Sequence, residues 1–148
     1  MNLNSKKFSV YLLIKTQSLP SKRPEFSVSL NNVIQSPVAD QDTGITFDMS
    51  AVFGNNILTV DLFNKDSSDT VVNEGGQIVA DLNLEIIRLK VEDIDVTDQL
   101  KQRLTYFTCD NEYVDTYGFM HKNGQLTIEF QCPIFYFLRN IALIKQNH

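Results

Sequence analysis

The sequence predicts a mainly all-β chain folded as a single antiparallel β-sandwich, jelly-roll-like, with one or two short helices near the C-terminus. Three observations carry this expectation. Short apolar runs alternate with polar residues at period two and recur at spacings of about eight to twelve residues. Gly, Pro, Asn and Asp fill the gaps between them, and strand and helix patterns nowhere alternate as a parallel sheet requires. At 148 residues, with 43% hydrophobic and 21% charged residues, the chain has the apolar content of a folded protein and the size of one domain.

Residues 8–14 (FSVYLLI) and 26–30 (FSVSL) read as strands separated by KTQSLPSKRPE, whose prolines and basic pair mark an exposed loop. Phe26, Val28 and Leu30 alternate with Ser27 and Ser29, giving one buried and one wet face. NVIQSPV and GITFDMSAVF continue in this style, with a turn at Asp40, Asp42 and Gly44. In NILTVDLF, Leu58, Val60 and Leu62 lie opposite Ile57, Thr59, Asp61 and Phe63. In NLEIIRLKV the apolar parity switches after Ile86, which a bulge at Ile86–Ile87, or a strand covered on both faces, explains.

Gly75–Gly76 suits the tight turn of a small hairpin between VV and QIVA. Thr97 is placed to cap a short helix carrying Leu100 and Leu104. Asn123–Gly124 predicts a hairpin between YGFMHK and the alternating Leu126, Ile128 and Phe130. Pro133 is placed to open a terminal helix on which Ile134, Phe137, Leu138, Ile141 and Ile144 recur at helical spacing. Residues 1–20 read as an N-terminal strand and exposed linker serving as an assembly arm, and 21–148 as the sandwich domain.

The net charge of −5 and pI near 4.9 come with Lys and Arg scattered apart from Lys6–Lys7 and Lys22–Arg23. No concentrated cationic face results, so nucleic acid is not an expected partner. No apolar run approaches the ~20 residues of a membrane span and the N-terminus lacks a signal-peptide pattern, so no membrane association is expected and synthesis is placed in the cytoplasm. Cys109 and Cys132, with His121 and His148 as the histidines, make no zinc framework. Free buried thiols are the expectation, with a disulfide as the alternative.

The most polar stretch is NKDSSDTVVNEGGQIVADLNL, residues 64–84. Asp61, Asn64, Asp66, Asp69, Asn73 and Asp81 offer oxygens of the kind calcium gathers six to eight at a time, although their spacing is not that of an EF-hand. The simpler reading is a solvated hairpin connection in which Asp and Ser make turns and keep a strand edge wet. A nucleophile pair of Cys109 or Cys132 with His121 has no orienting motif around it. Glu92, Asp93, Asp95 and Asp98 read as solvated turn positions, and Tyr106, Phe107, Tyr113, Tyr117 and Phe119 as core and interface aromatics. No enzyme is expected.

From Ile57 to Val96, a strand leads to an acidic loop and then to Asp81-Leu82-Asn83-Leu84, which opens a further strand. This segment resembles the central part of carbohydrate-binding β-sandwich modules of the calcium-dependent xylan-binding kind. The resemblance implies a calcium site built from Asp81, with Asp66 and Asp69 as further ligands, and a glycan as partner. The chain has no Trp, the residue with the largest flat face for a sugar ring, which favours a structural role over sugar binding.

A wider resemblance joins VDLFNKDSSDTVV, LEIIRLKVEDIDV and YGFMHKNGQLTIEFQCPIFYFLRNI across residues 57–144. These are similar to small proteins of tailed bacteriophages. That resemblance implies a virion structural or accessory component, on capsid or tail, made in the host cytoplasm, oligomeric in its assembly and bound to other virion proteins. A calcium-dependent carbohydrate-binding or adhesion module is the alternative function.

Overall fold

The computed structural model describes residues 6–35 and 44–146, with side chains up to residue 142. Its strands are β1 (Lys7–Gln17), β2 (Phe26–Leu30), β3 (Val33–Gln35), β4 (Ile45–Val52), β5 (Gly54–Leu62), β6 (Val71–Val72) and β7 (Ile78–Ala80). They continue through β8 (Asn83–Val91), β9 (Ile94–Asp95), helix α1 (Thr97–Lys101), β10 (Thr105–Thr108), β11 (Phe119–Met120), β12 (Gly124–Cys132) and helix α2 (Ile134–Gln146).

One sheet runs β11-β8-β1-β4 with β9 also paired to β8; the other runs β10-β12-β5-β2-β3. All pairings are antiparallel. From β4 onward, apart from the small β6–β7 hairpin and the short β9, successive strands alternate between the sheets, which is the wrapping of a jelly roll. The predicted antiparallel sandwich is therefore the observed fold.

The core lies where the period-two pattern puts it. Phe8, Val10, Leu12 and Ile14 of β1 face Leu58, Val60 and Leu62 of β5 and Leu126, Ile128 and Phe130 of β12, and all are buried. The parity switch in β8 is a bulge: Leu13 pairs with Arg88 and Ile14 with Ile86, leaving Ile87 unopposed. The extra residue returns Leu89 and Val91 to the core side, and the buried Lys101 ammonium donates to Ile86 O at 2.8 Å beside the bulge.

The expected N-terminal strand is integral to the sandwich, since β1 lies between β8 and β4 with its inward face in the core. Other expectations change. Asn123–Gly124 turns no hairpin: β11 pairs with β8 in one sheet and β12 with β5 and β10 in the other, so the dipeptide is a crossing between sheets. A Cβ at Gly124 would run into Phe107 O and stand 2.8 Å from Thr108 Cα, so close backbone approach explains the glycine. Thr97 is the first helical residue and not the cap. Its N–H is accepted by Asp95 Oδ1 at 3.0 Å, while its hydroxyl oxygen accepts the Leu89 N–H at 2.9 Å. The thiols differ, Cys132 being buried and Cys109 exposed, and neither is in a disulfide. The turn expected at Asp40 and Asp42 falls outside the described residues.

Glu92 and Asp93 form the positive-φ turn between β8 and β9, and Glu92 is more than a solvated position. Its Oε2 accepts the N–H of Ile134 at 2.6 Å, satisfying a free donor at the start of α2. Phe137 and Leu138 pack against the core from this helix, whereas Phe135 and Tyr136 face outward.

Candidate functional site

The acidic stretch begins where β5 ends. Asn64 fixes its base by accepting the Glu25 N–H at 2.7 Å and donating to Arg23 O at 2.8 Å. The basic loop and the acidic loop are thereby tied together. A 3-10 turn at Ser67–Asp69 follows. In it Asp69 Oδ2 accepts the Asp66 N–H at 2.7 Å and stands 2.5 Å from Lys22 Nζ, while Asp66 Oδ2 lies 3.2 Å from the same ammonium. The Asp66 N–H and the Lys22 ammonium together hold the Asp69 carboxyl below the usual carboxylate range.

Asp81 closes the loop just ahead of β8 and is buried. Its Oδ1 accepts from Lys65 Nζ, Thr70 Oγ1 and the Leu82 N–H, each at 2.8 Å, and its Oδ2 lies 3.4 Å from Asn83 Nδ2. Burial pushes this carboxyl up, but the hydrogen bonds from Lys65, Thr70 and Leu82 outweigh it, so Asp81 stays below its ordinary range. Lys65 also donates to His121 O at 2.5 Å, and its main chain is held by both ends of the Asn123 amide at 2.8 Å.

These contacts place the acidic loop against the β11–β12 crossing, and a pocket of about 720 Å³ lies between them. Asp66, Thr70, Ile78 and Asp81 line one wall; Phe119, His121, Lys122 and Asn123 line the other, with Cys109 and Asp110 at the rim. The Phe119 and His121 rings are parallel within 4° with centroids 6.3 Å apart, a stacked aromatic pair in the lining of the pocket. Burial and the neighbouring Lys65 and Lys122 push the His121 imidazole below its ordinary value, leaving it neutral at pH 7. The Tyr106 hydroxyl accepts the Lys122 N–H at 2.9 Å and donates to Lys122 O, fixing the segment that carries both rings.

The three carboxylates predicted as calcium ligands are thus in one loop but around two different lysines. Asp66 and Asp69 converge on Lys22, Asp81 on Lys65. Calcium needs six to eight free oxygen donors at 2.3–2.6 Å, whereas here N–H and O–H donors already occupy Asp69 Oδ2 and Asp81 Oδ1. Among the described residues no three His, Cys, Asp or Glu side chains converge as a metal set. The residues present do not fit the ion.

Lys22, Lys65, His121 and Asn123 were not apparent from the sequence as site residues. A signal for the two lysines was complementary charge, a basic SKRP loop and an acidic KDSSD loop.

The exposed Cys109 gives a chemical handle on this pocket. Burial pushes the Cys132 thiol up to about 12, so the native protein takes a single alkyl group from iodoacetamide, on Cys109, and a second only after unfolding. Mass spectrometry of the peptides checks this; early labelling of Cys132 contradicts the packing.

No family model matches the chain, and no curated protein matches it. Among solved structures it is similar in fold to the selenomethionine form of vCBM60, from work on circular permutation linking two families of calcium-dependent carbohydrate-binding modules. That likeness has a TM-score of 0.50 at 10% identity, covering 81% of this chain and 88% of the other. A second similar structure is vCBM60 in complex with galactobiose, with a TM-score of 0.46 at 9% identity over 80% of this chain and 95% of the other. The chain thus shares a β-sandwich fold with the first of these structures.

Proposed function

We propose that the chain is a non-enzymatic glycan-binding domain that takes a saccharide in the pocket between the acidic loop and the β11–β12 crossing. The observation that carries this reading is the parallel Phe119–His121 pair opposite a fixed polar wall of Thr70, Asp81 and Lys65. A pyranose has an apolar C–H face, which packs on a flat ring, and a rim of hydroxyls, which need donors and acceptors at set positions. The missing Trp is answered by two smaller, stacked rings that both line the pocket. The likeness in fold to vCBM60 makes carbohydrate the ligand class to test first.

Phe119→Ala removes half of that surface at a residue 37% exposed, so affinity for a retained glycan falls about tenfold or more while the fold persists. Titration calorimetry with the glycan selected on an array measures it. Unchanged affinity sinks this assignment of the pocket.

A second reading, a phage virion structural or accessory component bound to neighbouring virion subunits, is favoured by a different observation. Val33 and Ile34 on the edge strand β3, and Phe135 and Tyr136 on α2, are exposed apolar side chains of the kind protein neighbours cover. The two readings are compatible on a particle that carries an adhesion domain. Digestion of intact particles beside gel filtration of the purified chain tests the second; a chain absent from particles removes it.

A further inference from the structure

We infer that Lys22 is the resident cation of the acidic loop, so that this domain holds its loop and engages its glycan without calcium. The last step rests on the glycan-binding reading; the first does not.

Two carboxylates three residues apart on a tight 3-10 turn repel each other unless a positive charge lies between them. A divalent ion can supply that charge, and so can an ammonium already covalently present. Here Lys22 Nζ reaches both, at 2.5 Å from Asp69 Oδ2 and 3.2 Å from Asp66 Oδ2, although the residues are 44 and 47 positions apart in the chain.

Lys22 does not reach there as a free surface side chain. Its backbone is folded back by paired Leu19 and Lys22 main-chain hydrogen bonds of 2.8 and 3.3 Å. Asn64 then pins Arg23 and Glu25 to the loop itself. The backbone that carries the ammonium is therefore held against the acidic loop by the fold. Lys65 does the same for Asp81, so each of the three predicted ligands, Asp66, Asp69 and Asp81, has a protein cation within 3.2 Å. An incoming ion would have to displace ammonium groups and N–H donors.

The consequence for recognition is that sugar hydroxyls meet hydrogen-bonding side chains directly in this pocket, with no metal bridging them. Calcium-dependent capture and lysine-supported capture are different solutions on one sandwich.

The test uses the purified chain with no glycan, so its outcome is independent of the glycan reading. Melting is measured in excess EDTA and in millimolar CaCl2, with a calorimetric titration of CaCl2 alone, and the two melting temperatures are expected to agree with no binding heat. A double-mutant cycle then compares Lys22→Gln in the wild-type and Asp69→Asn backgrounds. Lys22→Gln is expected to lower melting in the first and change it far less in the second, and Lys22→Arg, which keeps the charge, to stay near wild type. A calcium-induced rise in wild-type melting, or equal losses in both backgrounds, overturns the inference. Should Asp69→Asn fail to fold, the calcium arm and the contrast between Gln and Arg at Lys22 decide it.

Discussion

A chain lacking residues 1–20 does not fold. β1 is hydrogen-bonded on both sides, to β4 from Lys7–Val52 through Ile14–Ile45 and to β8 from Val10–Val91 through Gln17–Asn83. Its removal leaves two strands of the same sheet without a partner between them. Phe8, Val10, Leu12 and Ile14 are each buried to within 4% of complete. At roughly 1.5–3 kcal/mol for each such side chain, their loss is on the order of 10 kcal/mol, as large as the whole stability of an ordinary domain. The truncated chain should show no cooperative thermal transition by circular dichroism. A truncated chain that melts cooperatively contradicts the place of β1 in the core.

The second large effect is at Lys65. With side chains only 8% and 11% exposed, Lys65 and Asp81 form the most enclosed ion pair among the described residues. Lys65→Met leaves the Asp81 carboxylate buried with hydroxyl and amide donors but no opposite charge, which costs about 3 kcal/mol and lowers melting by about 10 °C in a domain of this size.

The pH response changes sign as well. In the wild type the folded Asp81 pKa is depressed below its unfolded value. The stabilisation it brings is complete above about pH 4 and is lost as pH falls through the folded value. In the variant, burial acts without the ammonium and raises that pKa, so acidification favours the folded state. The difference in stability between wild type and variant therefore narrows from pH 7 to pH 4. Urea melts at the two pH values measure it, and a constant difference shows that Lys65 acts through packing alone.

Fold and site were legible in the sequence to different degrees, for a physical reason. Alternation is a local signal, so Leu58–Val60–Leu62 and Leu126–Ile128–Phe130 announced their buried faces, and the parity switch at Ile86–Ile87 announced its bulge. Pairing is not local. Asn123–Gly124 announced a place where the chain turns sharply, and only the competition between sheets decided that it crosses the sandwich instead of folding back. The apolar N-terminal segment was read as a strand of an assembly arm, and its place in the core was hidden because its partners lie some 30 to 80 residues further along the chain.

The site was harder still. Asp66, Asp69 and Asp81 were singled out as calcium ligands, but their contacts are with Lys22 and Lys65, and no spacing rule connects Lys22 to a carboxylate 47 residues away. Phe119 and His121 lie two residues apart, Phe119 on β11 and His121 just past its end. That spacing could have flagged a two-ring surface, but sequence does not show that the rings lie parallel.

The claim that this sandwich is a glycan-binding domain using Phe119 and His121 is tested most directly by one experiment. Wild type and Phe119→Ala are applied side by side to a glycan array, in excess EDTA and again in millimolar CaCl2. The wild type is expected to retain a defined set of glycans under chelation, and Phe119→Ala to lose them. An array on which the wild type binds nothing with or without calcium, or on which both proteins bind alike, contradicts it.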